Sequence, residues 1–171
     1  MTVILNGPLG VGKTETAWKL LDYLDHAAIL DCDYVGGNTT SIDHRDSSSV
    51  HAALECVAAL AKYQSERMGI EHFVVSGVFE TQVQLSLATS MLSEINRPVF
   101  PYLLLATPVE LERRVRVRGN GNVLREVDRA LELLKILGHN RPGKLFDVTN
   151  LTVDQTAETL WKDIQLLQSI N

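Results

Sequence analysis

The sequence predicts a three-layer α/β domain, a parallel sheet with helices on both faces. Short, wholly apolar runs recur along the chain at the length of buried strands. Between them the apolar residues switch to a spacing of three and four, the period of a helix. Most changes of period fall at a glycine, asparagine or proline, the residues that end regular structure.

Val3-Ile4-Leu5 is the first buried run, and it stops at Asn6-Gly7. From Lys13 the helical period takes over, with Ala17, Leu20, Leu21 and Leu24 on one side. Ala27 to Leu30 is a second strand, ending at Asp31-Cys32-Asp33. The polar, breaker-rich stretches Gly36 to Thr40 and Asp46 to Ser49 predict loops. A helix follows from about Val50 to Arg67, then a third strand at Phe73 to Val75. The next helix spans Gln82 to Ile95 and ends at Asn96-Arg97-Pro98. Val99 to Ala106 is a fourth strand, after which Pro108 suits the first position of a helix reaching Arg118. That helix breaks at Gly119 to Asn122, and another carries Leu124, Val127, Leu131 and Leu134 to about Gly138. Lys144 to Val148 is the last strand, and Thr152 with Gln155 forms a capping box for a C-terminal helix.

The 171 residues suit one domain, with no repeat, linker or low-complexity segment. A formal charge of −5 supplies no basic field for a nucleic-acid backbone. Cys32 and Cys56, the only cysteines, make neither a disulfide framework nor a zinc site. The N-terminus lacks a signal-peptide pattern and no run reaches the length of a membrane span, so a cytoplasmic protein without membrane partners is expected.

The chemistry starts at Gly7-Pro8-Leu9-Gly10-Val11-Gly12-Lys13-Thr14, which matches G-x-x-x-x-G-K-[ST] at every fixed position. Such a loop turns successive N–H groups onto phosphate oxygens, and the helix it opens adds the positive end of its dipole. Lys13 is expected on the β- and γ-phosphates and the Thr14 hydroxyl on magnesium. Because the motif follows a strand and opens a helix, its mechanical context is complete. With Glu15, these residues form the expected nucleotide-binding set.

Asp31 and Asp33 end the second strand, at the sheet edge where ligands bind in open parallel sheets. Read as extended chain, both side chains project to one side. One could order the water shell of magnesium while the other takes a proton from a substrate hydroxyl, and a turn or cap is the structural alternative. Arg113, Arg114, Arg116 and Arg118 crowd one helix end, with Arg114 and Arg118 on a shared face. Four cations there call for a nearby anion, although the helix dipole also favours them. Arg125 and Arg129 read equally as surface ion pairs with Asp128 and Glu132 or as phosphate ligands; His44 reads as a solvated loop residue within reach of a substrate, and Cys32 as a small packed residue.

The order of P-loop, Asp-x-Asp and Arg-x-x-x-Arg resembles the small P-loop kinases: shikimate, gluconate and adenylate kinases and chloramphenicol phosphotransferase. Within that group the chain most resembles tunicamycin resistance protein-like ATP-binding proteins. The likeness lies in Asn6-Gly7, Gly12 to Ala17, Leu111 to Arg118, Val127-Asp128-Arg129 and Asp147 to Thr152. The resemblance implies a P-loop NTPase fold with strand order 2-3-1-4-5 and a small lid at about Arg118 to Val123. It implies ATP and magnesium as cofactors, Arg114 at the adenine and Arg118 at the phosphates. Asp33 falls at the substrate-side aspartate of shikimate kinase. The third strand ends Val75-Ser76-Gly77-Val78 without a Walker B carboxylate, which leaves Asp31 as the leading magnesium-side residue.

The resulting expectation is a monomeric or dimeric kinase moving the γ-phosphoryl group to a hydroxyl of a metabolite, nucleoside or antibiotic. Lys13 and Arg118 would stabilise charge and Asp33 would act as base. A GTPase would carry an Asn-Lys-x-Asp guanine reader, and none occurs. A protein that binds nucleotide and sequesters a drug without efficient transfer would use the same cradle, so that alternative stays open.

Overall fold

The computed structural model describes residues 1–37, 47–96, 98–119 and 122–170. Five parallel strands form one sheet: β1 (Thr2–Asn6), β2 (Ala27–Asp31), β3 (His72–Gly77), β4 (Val99–Leu105) and β5 (Lys144–Asp147). Their order is β2-β3-β1-β4-β5, the order the resemblance implied. The helices are α1 (Lys13–Leu20), α2 (Ser47–Met68), α3 (Gln82–Ser93), α4 (Pro108–Arg118), α5 (Val123–Asn140) and α6 (Val153–Ile170).

Strand β1 lies at the centre, paired with β3 on one side and β4 on the other, and all five of its residues are buried. Its side chains alternate between two cores, as the two-residue period of a strand requires. Val3 and Leu5 join Ala17, Leu20, Leu111, Leu160 and Ile164 on the face covered by α1, α4 and α6. Ile4 joins Leu54, Val57, Leu85 and Ala88 on the face covered by α2 and α3. Each fully buried side chain of this size contributes about 1.5–3 kcal/mol. Burial on both faces explains why the central strands read as unbroken apolar runs.

Four local expectations need correction. The helix from Lys13 does not carry its period through Leu24: α1 ends at Leu20, a 3-10 turn spans Leu21–Tyr23, and Leu24 is extended. Helix α2 begins at Ser47, so Ser47 to Ser49 belong to a helix and not to a loop. Helix α3 ends at Ser93, two residues before Ile95. Beyond Asp31 the chain does not stay extended, because Asp33–Gly37 form a π-helical turn. The expected loop at 38–46, with His44, and Asn120 and Gly121 of the expected lid lie outside the described residues. The Thr152 capping box forms as expected: Thr152 N–H donates to Gln155 Oε1 at 2.9 Å and Gln155 N–H to Thr152 Oγ1 at 3.2 Å. No described helix is long and apolar enough to cross a membrane.

Candidate functional site

A cleft of about 1220 Å³ opens at the C-terminal edge of the sheet. Its walls include Leu9 to Gly12 of the loop after β1, Lys13 to Glu15 opening α1, Asp31 ending β2, Asp33 beyond it, Arg114 and Arg118 of α4, and Thr149 to Val153 at the start of α6. Topology explains the convergence: the strands run parallel, so the segments that follow β1, β2, β4 and β5 all leave the sheet at the same edge. Gly7 and Pro8 stand one step behind the lining as carbonyl acceptors.

The phosphate loop holds its shape through glycine. Gly10 and Gly12 have φ of +78° and +104°, in the left-handed region. At Gly10 a Cβ would also stand 2.5 Å from Val115 Cγ2, so the loop packs directly on α4. Thr16 N–H is the first intrahelical donor of α1, to Gly12 C=O at 2.9 Å. The N–H groups of Lys13, Thr14 and Glu15 are thereby left at the open end of the helix, facing an anion site.

Lys13 Nζ donates to the Gly7 and Pro8 carbonyls at 2.9 and 3.0 Å. Burial in the loop pulls its pKa down to about 8, against the opposing pull of Asp33, Asp31 and Glu15. Asn6, fully buried, anchors the start of the loop. Its Nδ2 donates to Phe79 and Pro142 carbonyls, and its Oδ1 accepts from Gly7 and Phe79 N–H groups.

Asp31 and Asp33 do line the same cleft, but not as two residues of one strand. Asp33 N–H donates to Asp31 Oδ1 at 3.0 Å as the chain turns away. Asp31 Oδ2 accepts from Thr14 Oγ1 at 3.2 Å and from Ser76 Oγ at 2.9 Å. Ser76 is the register partner of Asp31 on β3, and it stands where a Walker B carboxylate was sought. The Asp33 side chain is exposed at the mouth. Cys32 packs inward beside Gly77, and burial pushes its thiol up to about 12, which leaves it inert as a nucleophile.

The arginine helix requires a second correction. The anion that its cations call for is largely internal. Arg113 and Arg114 share Glu110, each with a contact of 2.7 Å, and Arg116 pairs with Glu112 at 2.7 Å. These are ordinary three- and four-residue helix pairs. Hydrogen bonds from the two arginines hold Glu110 at about 2, well below its usual value. Arg118 lines the cleft.

Arg114 spans three segments. Nε donates to Glu110, Nη1 to the Val11 carbonyl at 2.9 Å, and Nη2 to Val148 at 2.8 Å with longer contacts to Leu151 and Thr149. Its edge is thus committed to protein and ties the phosphate loop to the loop before α6. Arg129 pairs with Glu80 at 2.7 Å and with Glu132 at 2.8 Å, the ion-pair reading of the sequence.

Magnesium suits the donors present, which are hard oxygens of Thr14 and Asp31. Among the described residues no group of three His, Cys, Asp or Glu is placed to hold a metal. The site therefore fits an ion completed by phosphate oxygens and water, the usual situation of magnesium in phosphoryl-transfer enzymes.

Sequence reasoning missed Asn6 as an anchor, Glu110 as the arginine partner and Ser76 as a ligand of Asp31. Glu110 was findable, four residues before Arg114. Ser76 was not, since its role depends on strand register.

No protein-family model matches the sequence, and no curated protein matches it significantly. Solved structures do match. The tunicamycin resistance protein of Deinococcus radiodurans is 23% identical, with a TM-score of 0.66 over 95% of this chain and 94% of that one. A gluconokinase from Sinorhizobium meliloti is 14% identical, with a TM-score of 0.65 over 98% and 97% of the two chains. A shikimate kinase from Bacteroides thetaiotaomicron is also 14% identical, with a TM-score of 0.61 over 96% and 98%. The chain has the α/β fold of the P-loop small-molecule kinases.

Proposed function

We propose that this protein is an ATP-dependent kinase that phosphorylates a hydroxyl of a small molecule. The observation that carries the reading is the meeting in one cleft of a phosphate loop, three arginines of α4, Asp31 at the end of β2 and Asp33 just beyond it. The fold of known small-molecule kinases supports it.

Lys13 would leave its two loop carbonyls for the β- and γ-phosphate oxygens, and the N–H groups of Lys13, Thr14 and Glu15 would hold them in place. Arg118 would meet the charge that spreads over the transferring phosphoryl group. Arg114, with its guanidinium edge committed, would offer a face to the adenine ring. Thr14 and Asp31 would hold magnesium, which neutralises phosphate charge and aligns the γ-phosphoryl group when bound. Asp31 has both oxygens engaged in hydrogen bonds, whereas Asp33 offers an exposed carboxylate at the mouth. Asp33 would therefore take the proton of an acceptor hydroxyl.

The test is incubation with ATP, magnesium and a panel of hydroxyl compounds, following both ADP release and phosphorylated product. Transfer to a panel compound is the expected result. Saturable ATP binding without transfer would instead favour a nucleotide-binding sequestration protein. Absence of ATP binding would sink both readings.

A further inference from the structure

A second cavity, of about 610 Å³, opens on the α3 side of the sheet and shares no residue with the cleft. Helix α3 lines one wall with Ser86, Thr89 and Ser90, and Arg141 stands across from them in the turn between α5 and β5. Leu85 and Pro101 add apolar surface. A concave site of this size with a few convergent polar groups is suited to a small molecule.

The polar groups around it are open to a ligand. Gln82 Nε2 donates to Ser86 Oγ at 3.2 Å, which leaves the Ser86 proton to donate onward. Among the described residues the hydroxyls of Thr89 and Ser90 make no hydrogen bond. The Arg141 guanidinium makes one there, from Nε to the Gly138 carbonyl at 3.2 Å, so both terminal nitrogens are uncommitted.

Arg141 also occupies a costly position. It caps the C-terminus of α5 with φ 46° and ψ 52°, the left-handed conformation that favours glycine or asparagine. Such strain persists only where the surroundings fix it. Here Asn140 Nδ2 donates to the Glu80 carbonyl at 2.8 Å, and the Pro142 carbonyl accepts from Asn6 Nδ2 at 3.2 Å. Both neighbours of Arg141 are thereby tied down, and the arginine joins the cavity wall from a fixed backbone.

We propose that this cavity binds a small hydroxy acid as its monoanion, with the carboxylate on Arg141 and the ligand hydroxyls on Ser86, Thr89 and Ser90. A guanidinium fork gives a carboxylate two parallel N–H bonds. Two features select a single negative charge. Lys144, the other cation of the wall, commits its ammonium to Asp163 at 2.6 Å. The last carbonyls of α5 also put the negative end of a helix dipole beside Arg141. A phosphate dianion would leave charge unmatched. The site lies apart from the nucleotide cleft and does not depend on nucleotide binding.

The test is an NMR titration of isotope-labelled protein with glycerate, acetate and inorganic phosphate, against sodium chloride at equal ionic strength. Glycerate should give saturable shifts at the Arg141 Nε–H and at the amides of Thr89, Ser90 and Gly143, with the amides of Gly10 to Thr14 unmoved. It should bind more tightly than acetate, which lacks hydroxyls, and more tightly than phosphate. Arg141→Gly removes the fork and relieves the left-handed backbone. It should bind glycerate about tenfold or more weakly, the scale of hydrogen bonds to a charged group, and melt at or above the wild-type temperature. Shifts that chloride reproduces, or glycerate binding that survives Arg141→Gly, overturn the inference. Tighter binding of phosphate, or of acetate, overturns the choice of a hydroxy acid. A lower Tm in Arg141→Gly overturns it too, because the side chain would then serve the fold.

Discussion

On one side of the cleft, Asn6 and Arg114 brace the phosphate loop through hydrogen bonds to four other segments, and Gly10 packs against Val115. On the other side, Asp33 and Tyr34 stand exposed on a π-helical turn, Tyr34 at 77% of its free surface. On the proposed reading the first wall would meet a chain of phosphates, a ligand whose shape does not vary. On that reading the second would meet the phosphate acceptor; its turn is tied back by the Asp33 N–H bond to Asp31 and by Val35, which packs on the core. π-helical turns are uncommon and gather at functional sites, which suits a wall whose task is selection.

Substitutions on the two walls should therefore fail in different ways. The largest effect is expected from Asp33→Asn, which keeps the size of the side chain and removes its basicity. Transfer to a true acceptor should fall by about a hundredfold to ten-thousandfold while ATP affinity stays within error. Near-normal transfer would place the base elsewhere. The matching change Asp31→Asn should instead shift the magnesium dependence of ATP binding, read by titrating the metal at fixed nucleotide.

Lys13→Ala comes next. It removes the loop's ammonium, and ATP should bind about a hundredfold more weakly, the scale of losing one partner of a close charge pair. Circular dichroism should report an unchanged fold, because in the empty loop Lys13 makes only two hydrogen bonds, both to carbonyls of its own loop.

Asn6→Leu attacks the brace itself. Two carbonyls and two N–H groups would lose their buried partner. At about 1–3 kcal/mol for each orphaned group, partly offset by relaxation, a loss of at least about 3 kcal/mol is expected. A thermal melt should show it as a fall in Tm of roughly ten degrees. Asp33→Asn should leave the melt unmoved, and equal Tm losses for the two would erase the contrast between the walls.

The smallest effect is a pH dependence. The nucleotide-bound state needs the Lys13 ammonium, and in the empty protein that amine has a pKa of about 8 instead of 10.5. Below pH 8 the amine is already charged and affinity should be flat. Above it, binding must take up a proton, and affinity should fall by up to about tenfold per pH unit. Calorimetry between pH 7 and 10 reads this with the triphosphate fully ionised. A flat profile to pH 10 would mean that Lys13 keeps an ordinary amine.

The sheet was legible because burial on both faces leaves β1, β3 and β4 almost wholly apolar, and only strand ends drifted by a residue or two. The phosphate loop was legible because its glycines and lysine are contiguous. Asp33 was misplaced in conformation though not in neighbourhood, since a π-helical turn leaves no periodic trace in five residues. Ser76 and Asn6 act through partners 45 and 73 residues away, and no spacing rule reaches that far. The arginines misled for a simpler reason: their glutamate partners were within one helical turn and were not weighed.

Lys13 rests on two carbonyls of its own loop, so the arrival of a triphosphate is a change of partner and not the filling of a vacancy. What the ligand gains is the difference between a charged oxygen and a neutral one, a smaller quantity than the full attraction of an ammonium for a phosphate. That difference sets a threshold. A lone inorganic phosphate or sulfate, reaching few of the loop's N–H groups, has little with which to lift the lysine from its seat. A triphosphate spans the whole loop and supplies the remainder. On the proposed reading, a self-occupied cradle of this kind would favour long anions over the abundant small ones.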